Sequence, residues 1–132
     1  MAGIQVHILT PDGARFEGEA SGVVMPGVLG SFEVRQKHAN LVSTLEVGQV
    51  KVKTADREVF FAISGGTVEV SNNHVSLVVE SAETVDEIDR ERAEKAKERA
   101  LARLTDKDMD RSRAKRALER AENRLKLLLT HA

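Results

Sequence analysis

The 132-residue chain has no cysteine, no tryptophan and no tyrosine, and only two prolines. The lack of cysteine excludes disulfides, thiol nucleophiles and thiolate metal ligands, and it fits a reducing compartment. With four Phe as the only aromatic rings of that kind, there is little for unpaired nucleic-acid bases to stack on. The formal net charge is -1, from 20 basic and 21 acidic residues, so bulk electrostatics give no pull toward nucleic acid. No stretch approaches the roughly 18 apolar residues of a membrane span, and MAGIQVHILTPDG has no signal-peptide shape. Work at a membrane is therefore expected to run through other proteins, with no span in this chain. His7, His38, His74 and His131 lack metal-ligand spacing, so no metal site is expected. Neither a G-x-x-x-x-G-K-[ST] phosphate loop nor a G-x-S-x-G nucleophile elbow is present, and no catalytic residues are assigned.

What is present changes abruptly near residue 83. All nine Gly, both Pro and all four Phe lie before residue 67, and 15 of the 16 Val lie before residue 80. From Glu83 to Ala132 there are 14 basic and 12 acidic residues, with Ala and Leu supplying most of the apolar content. The net charges are -3 for residues 1–82 and +2 for residues 83–132. The first part is composed for strands and turns, the second for helices.

Period-two alternation marks the first part. Ile4, Val6 and Ile8 alternate with polar neighbours before the turn Thr10-Pro11-Asp12-Gly13. Val50 and Val52 alternate with lysines, and Ala55-Asp56 turns the chain into Glu58–Ile63. Gly65-Gly66 reads as a strand-entry turn before Thr67–Val70, and Asn72-Asn73 leads into His74–Glu80. About eight to ten short strands are expected, in a sandwich or barrel.

The second part carries two helical stretches. Ile88, Ala93, Ala96, Ala100 and Leu104 fall on one face of the first, and Ala114, Ala117, Ala121, Leu125 and Leu128 on one face of the second. Asp86, Glu87 and Asp89 suit a helix start, and Thr105-Asp106-Lys107-Asp108 supplies a turn and a second N-cap. Alanine stripes let two helices approach closely as an antiparallel hairpin. They bury little area, so the hairpin must lean on the strands or on a partner.

Particular residues sharpen this outline. Ser64-Gly65-Gly66-Thr67-Val68-Glu69-Val70, His74-Val75 and Ala82-Glu83 resemble the SGGxxEVxxxxV…AE segment of epsilon subunits of bacterial F-type ATP synthases. Thr10–Gly13 resembles that family's early turn, and residues 30–48 align without gaps to its glycine- and proline-rich stretch, keeping Gly30, His38, Leu41, Leu45 and Gly48. Where the family pattern has Gly, Pro, Gly and a second Pro, this chain has Glu33, Gln36, Lys37 and Asn40. Ser31 stands where an acidic residue is common. The resemblance implies an all-β sandwich over residues 1–84 followed by an antiparallel α-helical hairpin over 85–132. It also implies a non-catalytic central-stalk rotor subunit, peripheral on the cytoplasmic face of the bacterial inner membrane. The implied partners are the gamma subunit and the c-ring for the sandwich, and the catalytic alpha and beta subunits for an extended hairpin that inhibits ATP hydrolysis.

Ile88-Asp89-Arg90-Glu91-Arg92-Ala93 resembles the I/L-D-x-x-R-A motif of epsilon subunits that bind ATP. The chemistry is sensible: Asp89 accepts from an adenine amino group, Ile88 and Ala93 flank the ring, and Arg92 reaches a phosphate. Arg99, two turns beyond Arg92, and Arg120 and Arg124 on the second helix add guanidiniums that match phosphate oxygens. Glu83 joins these from the family pattern alone. No cofactor is required on this reading, and ATP is a regulatory ligand. The plainer reading of residues 88–93 is a solvated, ion-paired helix start, and that of Arg113, Arg116, Arg120 and Arg124 a solvated face. A rival function is a stand-alone β-sandwich module with a basic helical arm for nucleic acid, against which stand the interspersed acids and the missing Tyr and Trp.

Overall fold

The computed structural model describes residues 3–106 and 110–131. Eight strands come first: β1 (Ile4–Thr10), β2 (Gly13–Ala20), β3 (Gly22–Gly27), β4 (Gly30–Arg35), β5 (Leu41–Lys53), β6 (Glu58–Ser71), β7 (His74–Val79) and β8 (Ala82–Glu83). A short 3-10 turn (Val85–Glu87) leads to α1 (Arg90–Leu104) and α2 (Arg111–His131). The hydrogen-bonded order is β2-β1-β7-β6-β5-β3-β4, with β8 on β6. Pairing is antiparallel except between β1 and β7.

The two ends of that order meet in one core. Ile4, Val6 and Ile8 of β1 pack in the same cluster as Val23 and Met25 of β3 and Val34 of β4. The sheet is thus folded face to face, as the alternating burial of β1 and β7 requires. The 13-residue β5 and 14-residue β6 run through both layers. The later residues of β5 pair with β3, whereas the later residues of β6 pair with β7.

Gly65 and Gly66 are not the strand-entry turn that their sequence implies. They lie inside β6, at the point where its partner passes from β8 to β7. Gly65 takes φ 101, and a Cβ on Gly66 would come within 2.1 Å of the Val78 carbonyl oxygen. A side chain at Gly66 would clash with the neighbouring strand, and one at Gly65 would be strained by its positive φ.

In the β4–β5 loop, Lys37 occupies φ 64 although it stands where the family pattern has glycine. Its N–H donates to Asn73 Oδ1 at 2.7 Å, so the loop keeps a left-handed residue without the glycine that adopts it freely. Glu33, another departure, makes charge contacts from β4, with Oε2 2.9 Å from Lys53 Nζ and 3.2 Å from Arg35 Nε.

The helical ends differ from expectation in detail. Ile88 is in extended backbone after the 3-10 turn, so α1 starts later than its apolar stripe suggested. Asp89 caps it, accepting from the Arg92 N–H at 3.1 Å. The cap of α2 is Asp110, which accepts from the Arg113 N–H at 3.1 Å. Of the predicted turn and cap, Thr105 closes α1, while Lys107 and Asp108 lie outside the described residues. Ala93 and Ala100 are buried on α1, and Ala114 and Ala121 on α2.

Sequence periodicity missed Leu127, which is fully buried, whereas Leu125 is only half-buried. The reason is length: α2 has 21 residues and α1 has 15. The last turns of α2 outrun their helical partner, and their buried face shifts toward the sandwich. Leu127 and Leu128 form a second apolar cluster with Ala62 and Ile88, flanked by Phe60 and Val85. His131 stacks on Phe60 with ring centroids 3.7 Å apart.

Candidate functional site

The connection from sandwich to hairpin is held polar contact by polar contact. Glu87 accepts from the Thr84 N–H at 3.0 Å, the capping-box spacing Thr-x-x-Glu. Arg15 of β2 pairs with Glu87 and donates from Nε to the Ala82 carbonyl at 3.1 Å. These contacts place Glu83, Glu87 and Asp89 along one wall of a cleft whose other walls come from the helices.

That cleft has a volume of about 230 Å³ and is lined by Glu83, Glu87, Asp89, Arg92, Ala93, Ala96, Arg99 and Arg124. Positions 89, 92, 93, 96 and 99 share one helical face through their spacing of three and four. Arg124 reaches in from α2, its Nε 2.6 Å from Glu83 Oε1, with both side chains about 30% exposed. Ala93 and Ala96 are the cleft's two apolar lining residues, among three guanidiniums and three carboxylates. Such a site suits a planar heterocycle that also carries anionic groups.

Six of the eight residues singled out from the sequence meet here: Glu83, Asp89, Arg92, Ala93, Arg99 and Arg124. Arg120 lines an adjoining hollow of about 330 Å³ with Ser64, Glu80, Ser81 and, shared with the cleft, Arg124. Ile88 points away into the cluster with Ala62, Leu127 and Leu128. Asp89 also serves the plainer role of helix cap, which occupies Oδ1 and leaves its second oxygen for a ligand. The basic stripe divides: Arg113 and Arg116 are exposed, while Arg120 and Arg124 are half-buried toward the sandwich. Sequence reasoning assigned no ligand role to Glu87 or Ala96. The Thr84-x-x-Glu87 spacing was the available signal for the first.

A second surface mixes exposed aliphatic side chains with threonines. Leu9, Val78, Thr67 and Thr44 are register partners in one row across β1, β7, β6 and β5. Val78 is 55% exposed, and beside the row Val42 is 73% and Leu29 103% exposed. Val28, Leu29, Phe32, Leu41 and Val42 line an open hollow of about 720 Å³ at one end of it.

Residues 3–85 match the family described as ATP synthase, Delta/Epsilon chain, beta-sandwich domain. Residues 86–128 match the companion family, ATP synthase, Delta/Epsilon chain, long alpha-helix domain. The chain belongs to the ATP synthase delta/epsilon family. Within that family it is similar to the ATP synthase epsilon chain of Shouchella clausii, 49% identical over 104 residues that cover 79% of this chain and 78% of the relative. The epsilon chain of Salinibacter ruber is 46% identical over 110 residues, covering 76% and 74%. Among solved structures, a chain of the Euglena gracilis mitochondrial ATP synthase OSCP/F1/c-ring matches with a TM-score of 0.85 at 26% identity, over 98% of this chain and 82% of that one. A delta/epsilon chain of this type is an accessory, non-catalytic subunit of the ATP synthase. The two-part architecture of sandwich and helices is the one described for the family. Nothing in these likenesses supports the nucleic-acid reading.

Proposed function

We propose that this chain is a central-stalk rotor subunit whose sandwich docks on the gamma subunit and the c-ring. The observation that carries the docking reading is the exposed row Leu9–Val78–Thr67–Thr44 with Val42 and Leu29 beside it. Exposed Leu9, Val78, Val42 and Leu29 gathered about two threonines belong under a partner rather than in water. The β4–β5 loop with Lys37 and His38 adjoins β5 and is the polar margin of the same contact. No helix among the described residues is long and apolar enough to cross a membrane, and on this reading the chain is held peripherally, through gamma and the c-ring, on the cytoplasmic face of the inner membrane.

The hairpin is the regulatory part of this reading, and the chain divides at residues 84–85. Folded down, as here, it leaves the catalytic alpha and beta subunits free; extended, it meets them and suppresses ATP hydrolysis. Undocking exposes Leu127 and Leu128, at a cost of about 1.5–3 kcal/mol each as an upper estimate. A surface that covers those leucines can offset most of that cost, so a modest differential affinity moves the equilibrium. ATP in the cleft opposes extension, because the cleft draws Arg92 and Arg99 from α1, Arg124 from α2 and Glu83 from the sandwich. Its phosphates would extend past Arg124 toward Arg120.

Affinity capture of the tagged chain from detergent-solubilised membranes tests the assignment. The gamma and c subunits should co-purify, and Val78→Glu with Leu29→Glu should abolish their recovery. Capture of nucleic acid in place of synthase subunits contradicts it.

A further inference from the structure

The contacts between α2 and the sandwich are mostly apolar, and apolar contacts set no direction. Leu127, Leu128, Ala62 and Ile88 would stay buried through small rotations of the helix. Two polar side chains set direction: Arg124, through Glu83 at the edge of the sandwich, and Asn123, which reaches the backbone of its two long strands. Asn123, half-buried on α2, donates from Nδ2 to the Gly48 carbonyl at 2.8 Å and to the Ile63 carbonyl at 3.3 Å. Gly48 and Ile63 are register partners on β5 and β6, so the amide sits on both strands of the long hairpin at once.

We propose that Asn123 is the latch of the helical hairpin, fixing the rotation of α2 on the sandwich and setting the fraction of chains in which it releases. This inference rests on the reading of the hairpin as a movable element, and it adds the residue that governs the movement. An amide seated on two strand carbonyls specifies geometry, because misplacing it leaves polar groups unpaired. The consequence reaches the cleft through the next residue. With Asn123 seated, Arg124 points at Glu83, while Leu127, one turn on, enters the apolar cluster. Asn123 is therefore a positioning residue: it touches no ligand and lines none of the cleft about Asp89 and Arg92.

The amide hydrogens also explain why this position needs Asn in particular. Aspartate has nearly the same shape but no donor, so it would set a carboxylate oxygen against two carbonyl oxygens. A residue acting by volume alone would tolerate that exchange; a latch would not.

The chain contains no cysteine, so Glu46→Cys and Glu119→Cys in the full chain provide two unique spin-label positions, one on β5 and one on α2. Pulsed dipolar distances should show mainly the folded-down separation in the parent. Asn123→Ala should enlarge the long-distance population about fivefold, by loss of the two hydrogen bonds. Asn123→Asp should enlarge it further, with the thermal melt of the sandwich unchanged in both. Leu127→Asp serves as the comparison that detaches the hairpin by another route. If it lengthens the distance while both Asn123 variants match the parent, the latch is wrong and the movable hairpin stands. If even Leu127→Asp keeps the short distance in a folded chain, the hairpin does not move and both fall.

Discussion

Arg124 on α2 meets Glu83 on β8 with Nε 2.6 Å from Oε1, joining the second helix to the last strand of the sandwich. The same guanidinium lines the cleft that holds Asp89, Arg92 and Arg99, and the adjoining hollow that holds Arg120. It therefore works both in holding the hairpin down and in any anion site formed there.

ATP binding by the isolated chain is expected on this geometry. Arg92→Ala and Arg124→Ala should each weaken it by roughly 1.5–3 kcal/mol, the worth of a charge-assisted contact. Arg90→Ala should be nearly silent, because Arg90 is exposed and lies outside the cleft lining. Calorimetric titration measures all three. The absence of heat and of thermal shift at millimolar ATP would return Ile88–Ala93 to the status of a capped helix start.

Backbone strain at Lys37 leads to a stabilising substitution. A left-handed φ of 64 disfavours any residue with a Cβ, and the Lys37 N–H bond to Asn73 does not depend on the side chain. Lys37→Gly should raise stability by about 0.5–1 kcal/mol, after allowing for the extra freedom of glycine when unfolded. Thermal melting would show this as an upward shift of a few degrees. A fall in melting temperature would mean that the lysine side chain contributes more than its backbone costs.

The Glu33 carboxyl is held below the usual carboxylate range by the Lys53 ammonium and then the Arg35 guanidinium, against partial burial. Because the folded state lowers this pKa, the contribution is complete above the ordinary carboxylate value. It is lost as pH falls from there through the folded value. Glu33→Gln should accordingly be less stable than the parent at neutral pH, with the difference shrinking in acid. Denaturation profiles that stay parallel from neutral to acidic pH would contradict this.

Every member of the main core lies between Ile4 and Ala82, so residues 1–84 should fold alone as a β-rich domain. Residues 85–132 lose Phe60 and Ala62, the strand residues that bury Leu127 and Leu128, and should be mostly unfolded by circular dichroism. A cooperative melt of that fragment as a monomer would show that the helices stabilise each other unaided.

How far sequence could go is visible in individual residues. Alternation around Ile4–Ile8 and Val50–Val52 exposed the strands because each has one face in the core. The glycine pair at 65–66 misled, because glycine marks close backbone approach inside a strand as readily as a turn between strands. Asp89, Arg92 and Ala93 were legible through a contiguous motif, Arg99 through its spacing and Arg124 through the basic stripe of the second helix, whereas Glu83 came from the family pattern alone. The orientation of Ile88 toward Leu127 was not legible, since it depends on where α1 begins and on how far α2 outruns it. Asn123 was equally invisible: its partners are main-chain carbonyls 60 and 75 positions away, which no local pattern encodes.

On this reading the hairpin restrains an enzyme to which the sandwich by itself stays attached. ATP hydrolysis by synthase assembled with the full chain, or with residues 1–84 only, tests it most directly at low ATP. Incorporation on gamma should be equal, with faster hydrolysis in the truncated assembly. Equal hydrolysis rates at full incorporation would contradict it.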